Sequence, residues 1–413
     1  MASVFSATQT GVEPADTGLP GAFRHRFHVP EGVRYFDGNS LGLMPRAVAG
    51  AVADTVSNEW ANGLIRSWNG AGWRSLPQRV GEKIAKLIGA APGQVAACDS
   101  TSVNLYKLLV SAVRLRPGRR RIVTDVDSFP TDLYIVDEVA AQFGLTVQQV
   151  PARDIAAVLD QDVAVVLLTH VDYRRAEIYD MAAYTRAAHA AGALIVWDLS
   201  HTAGAVPCAL DACGADFAVG CGYKYLNGGP GAPAYLYVAS RYQDQCAQPL
   251  PGWFGHARPF DFAARYAPAP GVDRYLSGTS PVIALSALYA ALDAFDGTSM
   301  AELYGHSLVL SDAFIEGLDK RLAHYGFTLA SPRDKPSRGS HVSLRHGEAY
   351  GVMQELAQRG FIGDFRTPDF MRFGFAPLYN TLDDVAQLVD AIEQVMREEA
   401  WNKPEHRVKR GFT

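Results

Sequence analysis

Three residues near the middle of the chain are of the types, and in the places, that covalent chemistry needs. Lys224 stands in VGCGYKYLNGGPGAP, between two apolar runs and among glycines. It has no helix face to decorate, and glycines mark positions where a backbone must approach something closely. A lysine held in such a pocket can have its pKa lowered, which frees the amine for Schiff-base formation. Upstream, Asp198 ends the apolar run ALIVWD, and His201 follows in WDLSHTAGAVP. Read singly, Asp198 is a helix cap, His201 a hydrogen-bonded structural histidine and Lys224 a solvated surface group. Together, a Schiff-base lysine and an upstream strand-end carboxylate are what pyridoxal 5'-phosphate requires. The carboxylate keeps the pyridine nitrogen protonated, and the ring becomes an electron sink.

The phosphate of such a cofactor needs donors. CDSTSVNLYKLL puts Thr101 and Ser102 at the start of a helical pattern, where free N–H groups and the helix dipole favour an anion. A plain helix cap explains those two residues equally well in isolation. In DSFPTD, Phe129 is of the type that covers a pyridine face, with Thr131 and Asp132 beside it. Without those neighbours it would read as a core aromatic.

Elements must hold these residues, and their pattern is repetitive. Helical spacing runs over 46–61 and 76–89, then near 102–113, 131–143, 153–160 and 181–191. Between the later helices lie short apolar strands at 121–126, 145–150, 163–169, 193–198, 216–220 and 234–238. Strands without polar alternation are buried on both faces, and helices between them imply right-handed crossovers in a mostly parallel sheet. The architecture is α/β, with ligands expected beyond the carboxyl ends of the strands. A Pro/Gly-rich stretch (250–281) leads to the apolar helix PVIALSALYAALDAF. Helices at 302–323, 348–360 and 383–399, with strands near 341–345 and 370–375, then read as a smaller α+β unit.

Composition narrows the partners. Of 413 residues, 48% are hydrophobic and 20% charged, so the chain is globular and large enough for a core without staples. The net charge of −5 argues against nucleic acid or an anionic membrane as the main partner, and favours a small molecule. The five cysteines (Cys98, Cys208, Cys213, Cys221, Cys246) form no C-x-x-C pair and read as reduced thiols of a cytoplasmic protein, with no metal. Neither a signal peptide nor an apolar run of membrane-spanning length is visible. There is no phosphate-binding G-x-x-x-x-G-K-[ST] loop, no H-E-x-x-H and no G-x-S-x-G. GCGYKY lacks the third glycine of a dinucleotide loop, which leaves an oxidoreductase only as a fallback.

A resemblance then becomes specific. YFDGNSLGLMP (35–45), STSVNL (100–105), FPTD (129–132), WDLSHTAG (197–204), GYKYLNGGPGAP (222–233), GWFGH (252–256) and RFGFAPLYN (372–380) resemble the kynureninase family over about residues 30–400. That family has the fold-type-I pyridoxal-phosphate architecture, a mostly parallel sheet sandwiched by helices with a smaller α+β domain. The resemblance implies an arm and helix at 1–58 contributing to the small domain, a large cofactor-binding domain at 59–280 and a small domain at 281–413. It implies that Lys224 carries the cofactor, Asp198 pairs with the pyridinium and Phe129 stacks on the ring. Thr101, Ser102, Tyr223, Trp253 and Thr279 then surround the phosphate, with Pro130, Thr131, Asp132, Thr169 and His201 nearby. In the family, the segments matching Trp253 and Thr279 come from the other subunit, which implies a homodimer with shared sites.

Arg372 matches the residue that grips the substrate α-carboxylate; without the resemblance it is a surface arginine in a strand. A planar fork suits bidentate carboxylate binding. Ser40 and Trp68 match positions near the substrate, and Trp68 reads equally well as a core tryptophan. Tyr223 is either a proton donor and acceptor or only a phosphate ligand. Thr279, where animal relatives have Asn, and GLIRSW (63–68) look bacterial, which implies L-kynurenine as substrate and 3-hydroxykynurenine as a poorer one. The implied reaction is hydrolytic cleavage of the Cβ–Cγ bond to anthranilate and L-alanine, a step of tryptophan catabolism. The rivals are a class V aminotransferase or cysteine desulfurase, and a pyridoxal-phosphate-binding regulatory protein. No cysteine sits in a mobile segment with an activating partner, and no DNA-binding module or basic patch is visible.

Overall fold

The computed structural model describes residues 18–408; the first half of the expected N-terminal arm, residues 1–17, lies outside the described residues. A seven-stranded sheet forms the centre. Its order across the sheet is Val95–Ala97, Tyr235–Val238, Phe217–Gly220, Leu194–Asp198, Val163–Thr169, Arg121–Asp125 and Thr146–Val150. The five strands from Thr146–Val150 to Phe217–Gly220 are parallel, and Tyr235–Val238 and Val95–Ala97 each pair antiparallel with their neighbours.

The apolar strands divide their side chains between two cores, as a period of two demands. Val166, Leu168, Ile195 and Trp197 join Val80, Ile84 and Ile88 of helix Leu76–Ile88 on one face. Val165, Leu167, Leu194 and Val196 join Leu105, Leu108 and Leu109 of helix Thr101–Arg114, and Val136 and Val139 of helix Pro130–Phe143, on the other. All seven residues of VAVVLLT are buried, which is why no polar residue interrupts that run.

The helices start and stop where local chemistry allows. Ser100 caps Thr101–Arg114 by accepting from the Val103 amide. Pro130 opens the next helix at a position whose N–H would be orphaned anyway, and Gly144 closes it at φ +66°. Two expectations are corrected. Residues 152–158 form a 3-10 helix rather than an α-helix; its two buried residues, Ala152 and Ile155, are three apart, the spacing that a three-residue turn stacks. The pattern over 46–61 divides into an α-helix, Arg46–Asp54, and a π-helical stretch, Thr55–Gly63.

A second sheet, antiparallel, orders Asp364–Arg366, Phe370–Gly374, His341–Arg345 and Thr328–Leu329. Helices Met300–Gly317 and Leu382–Arg397 cover it, giving a core around Leu310, Phe314, Leu388 and Ile392. The strand Arg34–Tyr35 pairs parallel with Phe361–Ile362, and so joins the first part of the described chain to its last.

Candidate active site

The carboxyl ends of three neighbouring parallel strands supply the floor of a cavity of about 280 Å³. Thr169 and Asp198 each end a strand and sit in register with one another. The chain leaving Phe217–Gly220 turns at once to present Tyr223 and Lys224. The return turn uses Asn227 at φ +58° and Gly229 and Gly231 at φ +85° and +75°, which explains the YLNGGPG composition. The NSLG segment packs directly under this turn. The Gly42 amide donates to the Tyr223 carbonyl at 2.8 Å, and any Cβ on Gly42 would lie 2.3 Å from the Lys224 carbonyl oxygen.

Sequence reasoning named twelve residues that line this cavity: Ser40, Thr101, Ser102, Phe129, Thr131, Asp132, Thr169, Asp198, His201, Tyr223, Lys224 and Arg372. Pro130 is adjacent, as the first residue of its helix. Trp253, Thr279 and Trp68 lie elsewhere. Trp68 packs against Trp73 and Phe254, each with ring centroids 5.7 Å away, and shares a separate groove with Trp253. Thr279 lines an apolar groove with Leu43, Met44, Trp60 and Ile283.

Electrostatics at the floor are unusual. Asp198 Oδ1 accepts from the Ser200 hydroxyl at 2.6 Å and the Ser200 amide at 2.9 Å. Asp132 Oδ2 is buried with no hydrogen-bond partner among the described residues. Burial raises the pKa of both carboxyls, and for Asp132 the neighbouring Asp198 raises it further, while Lys224 pulls both down. Lys224 Nζ lies 2.9 Å from His201 Nε2. Burial, and then Lys224, push His201 well below the ordinary histidine range, so the ring is neutral and Nε2 can accept from the lysine. Burial raises the Tyr223 hydroxyl, which keeps its proton at neutral pH. Phe129 is half exposed to the cavity and meets the Tyr173 ring edge-on, with centroids 5.2 Å apart.

These groups fit pyridoxal phosphate. Asp198, held by Ser200 at the same cavity as Lys224, could pair with a protonated pyridine nitrogen, and the unpartnered Asp132 Oδ2 leaves a polar site for the same ring. The first turn of Thr101–Arg114 opens into the same cavity, with two hydroxyl residues and amides that precede the first intrahelical bond, from the Asn104 amide to the Ser100 carbonyl.

Asn39 and Tyr173, which sequence reasoning missed, line the other end of the cavity together with Arg366, and Asp364 lies behind them. Asp364 is directly opposite Arg372 across the antiparallel pair. The Arg372 Nε donates to Asp364 Oδ1 at 2.7 Å and its Nη2 to Asp364 Oδ2, so the expected carboxylate grip already holds a carboxylate of the chain itself. DFRTPDFMRFG contains the signal, but only the strand register turns it into a contact.

Comparison with known proteins gives the family. Residues 303–392 match the kynureninase C-terminal domain, and residues 76–239 match the Cys/Met metabolism PLP-dependent enzymes. Kynureninase from Pseudomonas fluorescens is 47% identical over 397 residues, which cover 94% of this chain and 95% of that one. Kynureninase from Burkholderia pseudomallei is 46% identical, with the same coverage. Among solved structures, a cysteine desulfurase from Thermococcus onnurineus superposes with a TM-score of 0.79 at 20% identity, covering 91% of this chain and 98% of that one. A cysteine desulfurase from Escherichia coli gives a TM-score of 0.77 at 22% identity, with the same coverage. The desulfurases share the fold alone, whereas the identity to the two bacterial enzymes runs through nearly the whole chain: it belongs to the kynureninase family of pyridoxal-phosphate-dependent enzymes.

Proposed function

We propose that the protein hydrolyses L-kynurenine at the Cβ–Cγ bond, giving anthranilate and L-alanine, and acts less well on 3-hydroxykynurenine. The observation that carries this is the Lys224–His201–Asp198–Asp132 floor facing an arginine-lined end across one cavity. Pyridoxal phosphate, when bound, supplies the electron sink for the carbanion formed at Cα. The chain's own residues do the rest. Thr101, Ser102 and the first turn of their helix would hold the phosphate, Asp198 would pair with the ring nitrogen and Phe129 would lie against the ring. Lys224 would carry the cofactor, and its Nζ would be the base for the Cα proton, with neutral His201 accepting from it. The Tyr223 hydroxyl, kept protonated by burial, can donate to oxygen as water adds to the γ-carbonyl. The arginine end of the cavity would receive the α-carboxylate and so orient the substrate at Cα.

The same reading makes the protein a cytoplasmic homodimer of three-part chains (1–58, 59–280, 281–413) with shared sites. No helix among the described residues is long and apolar enough to cross a membrane. Leu64, Ile65, Phe260 and Phe262 are exposed, Phe262 by 82%, close to Trp68, Trp253 and the groove holding Thr279. A patch of this kind is what a subunit interface covers. It would bring Trp253 and Thr279 to the neighbouring subunit's phosphate. Anthranilate fluorescence after adding kynurenine to the holoenzyme tests the reaction. Borohydride reduction and peptide mapping should place the pyridoxyl group on Lys224; finding it on Lys107 or Lys83 would refute the assignment.

A further inference from the structure

One histidine of the second sheet stands against the lysine centre from behind. His341 begins the strand His341–Arg345, opposite Gly374, and is fully buried without lining the cavity. Its ring centroid lies 5.5 Å from that of His201, with 49° between the planes. At that separation facing ring nitrogens are about one hydrogen-bond length apart. Ser340 fixes the approach from two sides. Its carbonyl accepts from the hydroxyl of Tyr225, the neighbour of Lys224, at 3.1 Å. Its own hydroxyl donates at 2.8 Å to the carbonyl of Ala205, on the loop that carries His201. The second sheet is thus pinned to the lysine turn and to the histidine loop within one residue of His341.

Counting donors and acceptors gives this row of groups a direction. A neutral imidazole has one N–H donor and one acceptor nitrogen, and leaving either unpaired in the interior is costly. Both rings are neutral. Burial and then Lys224, with His341, Arg372 and Arg366 behind it, hold His201 well below the ordinary histidine range. Burial and then Arg372 push His341 down to about 3, with Lys224 adding to this and Asp364 opposing it. The carboxyls of Asp132 and Asp198 face Lys224 from the other side. His201 Nε2 lies 2.9 Å from Lys224 Nζ, while its Nδ1 is buried with no hydrogen-bond partner among the described residues. At the far end, the Tyr173 carbonyl, which already accepts from Arg372 Nη1, faces the His341 ring and raises its basicity, as an acceptor of its N–H does. A carbonyl can only accept, so the His341 N–H belongs to Tyr173. The other His341 nitrogen is then an acceptor, which is what a protonated His201 Nδ1 needs. His201 Nε2 is left as an acceptor in its turn.

We propose that His341 is a positioning residue that fixes the tautomer of His201, so that Nε2 accepts an N–H of Lys224 and leaves the lysine lone pair free. In the opposite tautomer, Nε2–H would point at that lone pair and occupy it. Lys224 needs the pair twice, to take up the cofactor and to accept the Cα proton. Only the second use rests on the reaction proposed above. His341 itself acts through His201 alone.

The test uses the full chain with two variants. His341→Leu keeps a buried apolar side chain of similar bulk, and His341→Gln restores a donor and an acceptor. Nitrogen-15 NMR of histidine-labelled protein, with the His201 signals assigned by their loss in His201→Gln, should show wild-type His201 protonated at Nδ1. Protonation at Nε2 would overturn the proposal outright. In His341→Leu the proton should move to Nε2, and in His341→Gln it should stay at Nδ1. After cofactor removal, added pyridoxal phosphate should regain the absorbance of the Lys224-bound form roughly five- to tenfold more slowly in His341→Leu, the size of about one hydrogen bond. His341→Gln should recapture it within about twofold of the wild-type rate. Kynurenine turnover should divide the same way, with kcat lowered by a similar factor in His341→Leu and KM unchanged. If His341→Leu captures the cofactor at the wild-type rate, or His341→Gln is as slow as His341→Leu, the ring only fills space and the proposal is wrong. Should His341→Leu fail to fold, the wild-type tautomer decides alone. A wild-type protein that captures the cofactor at Lys224 but releases no anthranilate from kynurenine would overturn the proposed reaction instead, and leave the tautomer result standing.

Discussion

Replacing either member of the buried Lys107–Asp99 pair should destabilise the protein, and by unequal amounts. Lys107 Nζ donates to Asp99 Oδ2 and to the Tyr275 carbonyl, both at 2.6 Å. The lysine side chain is 0% exposed and the aspartate 30% exposed. Asp99→Gly is the suitable variant, because Asp99 sits at φ +48°, which glycine adopts without strain. It strands an ammonium that cannot reach water, a cost of about 3–5 kcal/mol. Lys107→Met fills the same apolar channel and leaves Asp99 free to hydrate. What remains is the Tyr275 carbonyl without its donor, about 1–3 kcal/mol. The gap of about 2 kcal/mol is roughly a thirtyfold difference in the unfolding equilibrium. Urea unfolding followed by tryptophan fluorescence measures it, at one protein and one cofactor concentration, since bound ligand shifts apparent stability. Lys107 also ties the helix that begins at Thr101 to the segment leading to Thr279, so Lys107→Met should weaken cofactor affinity in the folded protein. Equal costs for the two variants, or a larger one for Lys107→Met, would show that exposure of the surviving partner does not set the penalty.

Three further outcomes follow from the site. Asp198→Ala should cut turnover more than cofactor retention, since the phosphate contacts remain while the ring nitrogen loses its counter-charge; near-normal turnover would mean that Asp198 only orders Ser200. Gly42→Ala forces a Cβ to 2.3 Å from the Lys224 carbonyl and from Asn227 Oδ1, so overpacking of about 1–3 kcal/mol should lower the thermal midpoint and reduce turnover together. Burial, and then Asp364, push the Asp37 carboxyl up to about 7, with Ser40, Arg372 and Arg366 facing it and Tyr35, Tyr225 and Tyr379 close by. Below that pH the neutral acid leaves the arginine end positive; above it the new anion cancels that charge. KM for kynurenine should therefore rise as pH climbs through about 7, and Asp37→Asn should flatten the rise; identical profiles for the two enzymes would remove Asp37 from substrate binding.

How much of this was legible in the sequence depended on whether a residue's meaning is local. VAVVLLT and ALIVWD announce buried strands because both faces need apolar side chains, and their terminal Thr169 and Asp198 fall at the cavity for the same reason. Val95–Ala97 is too short for any period to show, and residues 152–158 carry a spacing that a helix and a 3-10 turn share. Lys224 stood out through its glycines, two of which, Gly229 and Gly231, take the positive φ that the return turn requires. Asp364 did not, because an aspartate eight residues before an arginine is ordinary until an antiparallel register sets Asp364 against Arg372. His341 gives no signal either, although its ring centroid lies 5.5 Å from that of His201. Trp253 and Thr279 mark the other limit. Resemblance names them for the phosphate, yet within one chain they line other grooves, a separation that only the proposed homodimer would close, and no local pattern in one sequence encodes such a contact.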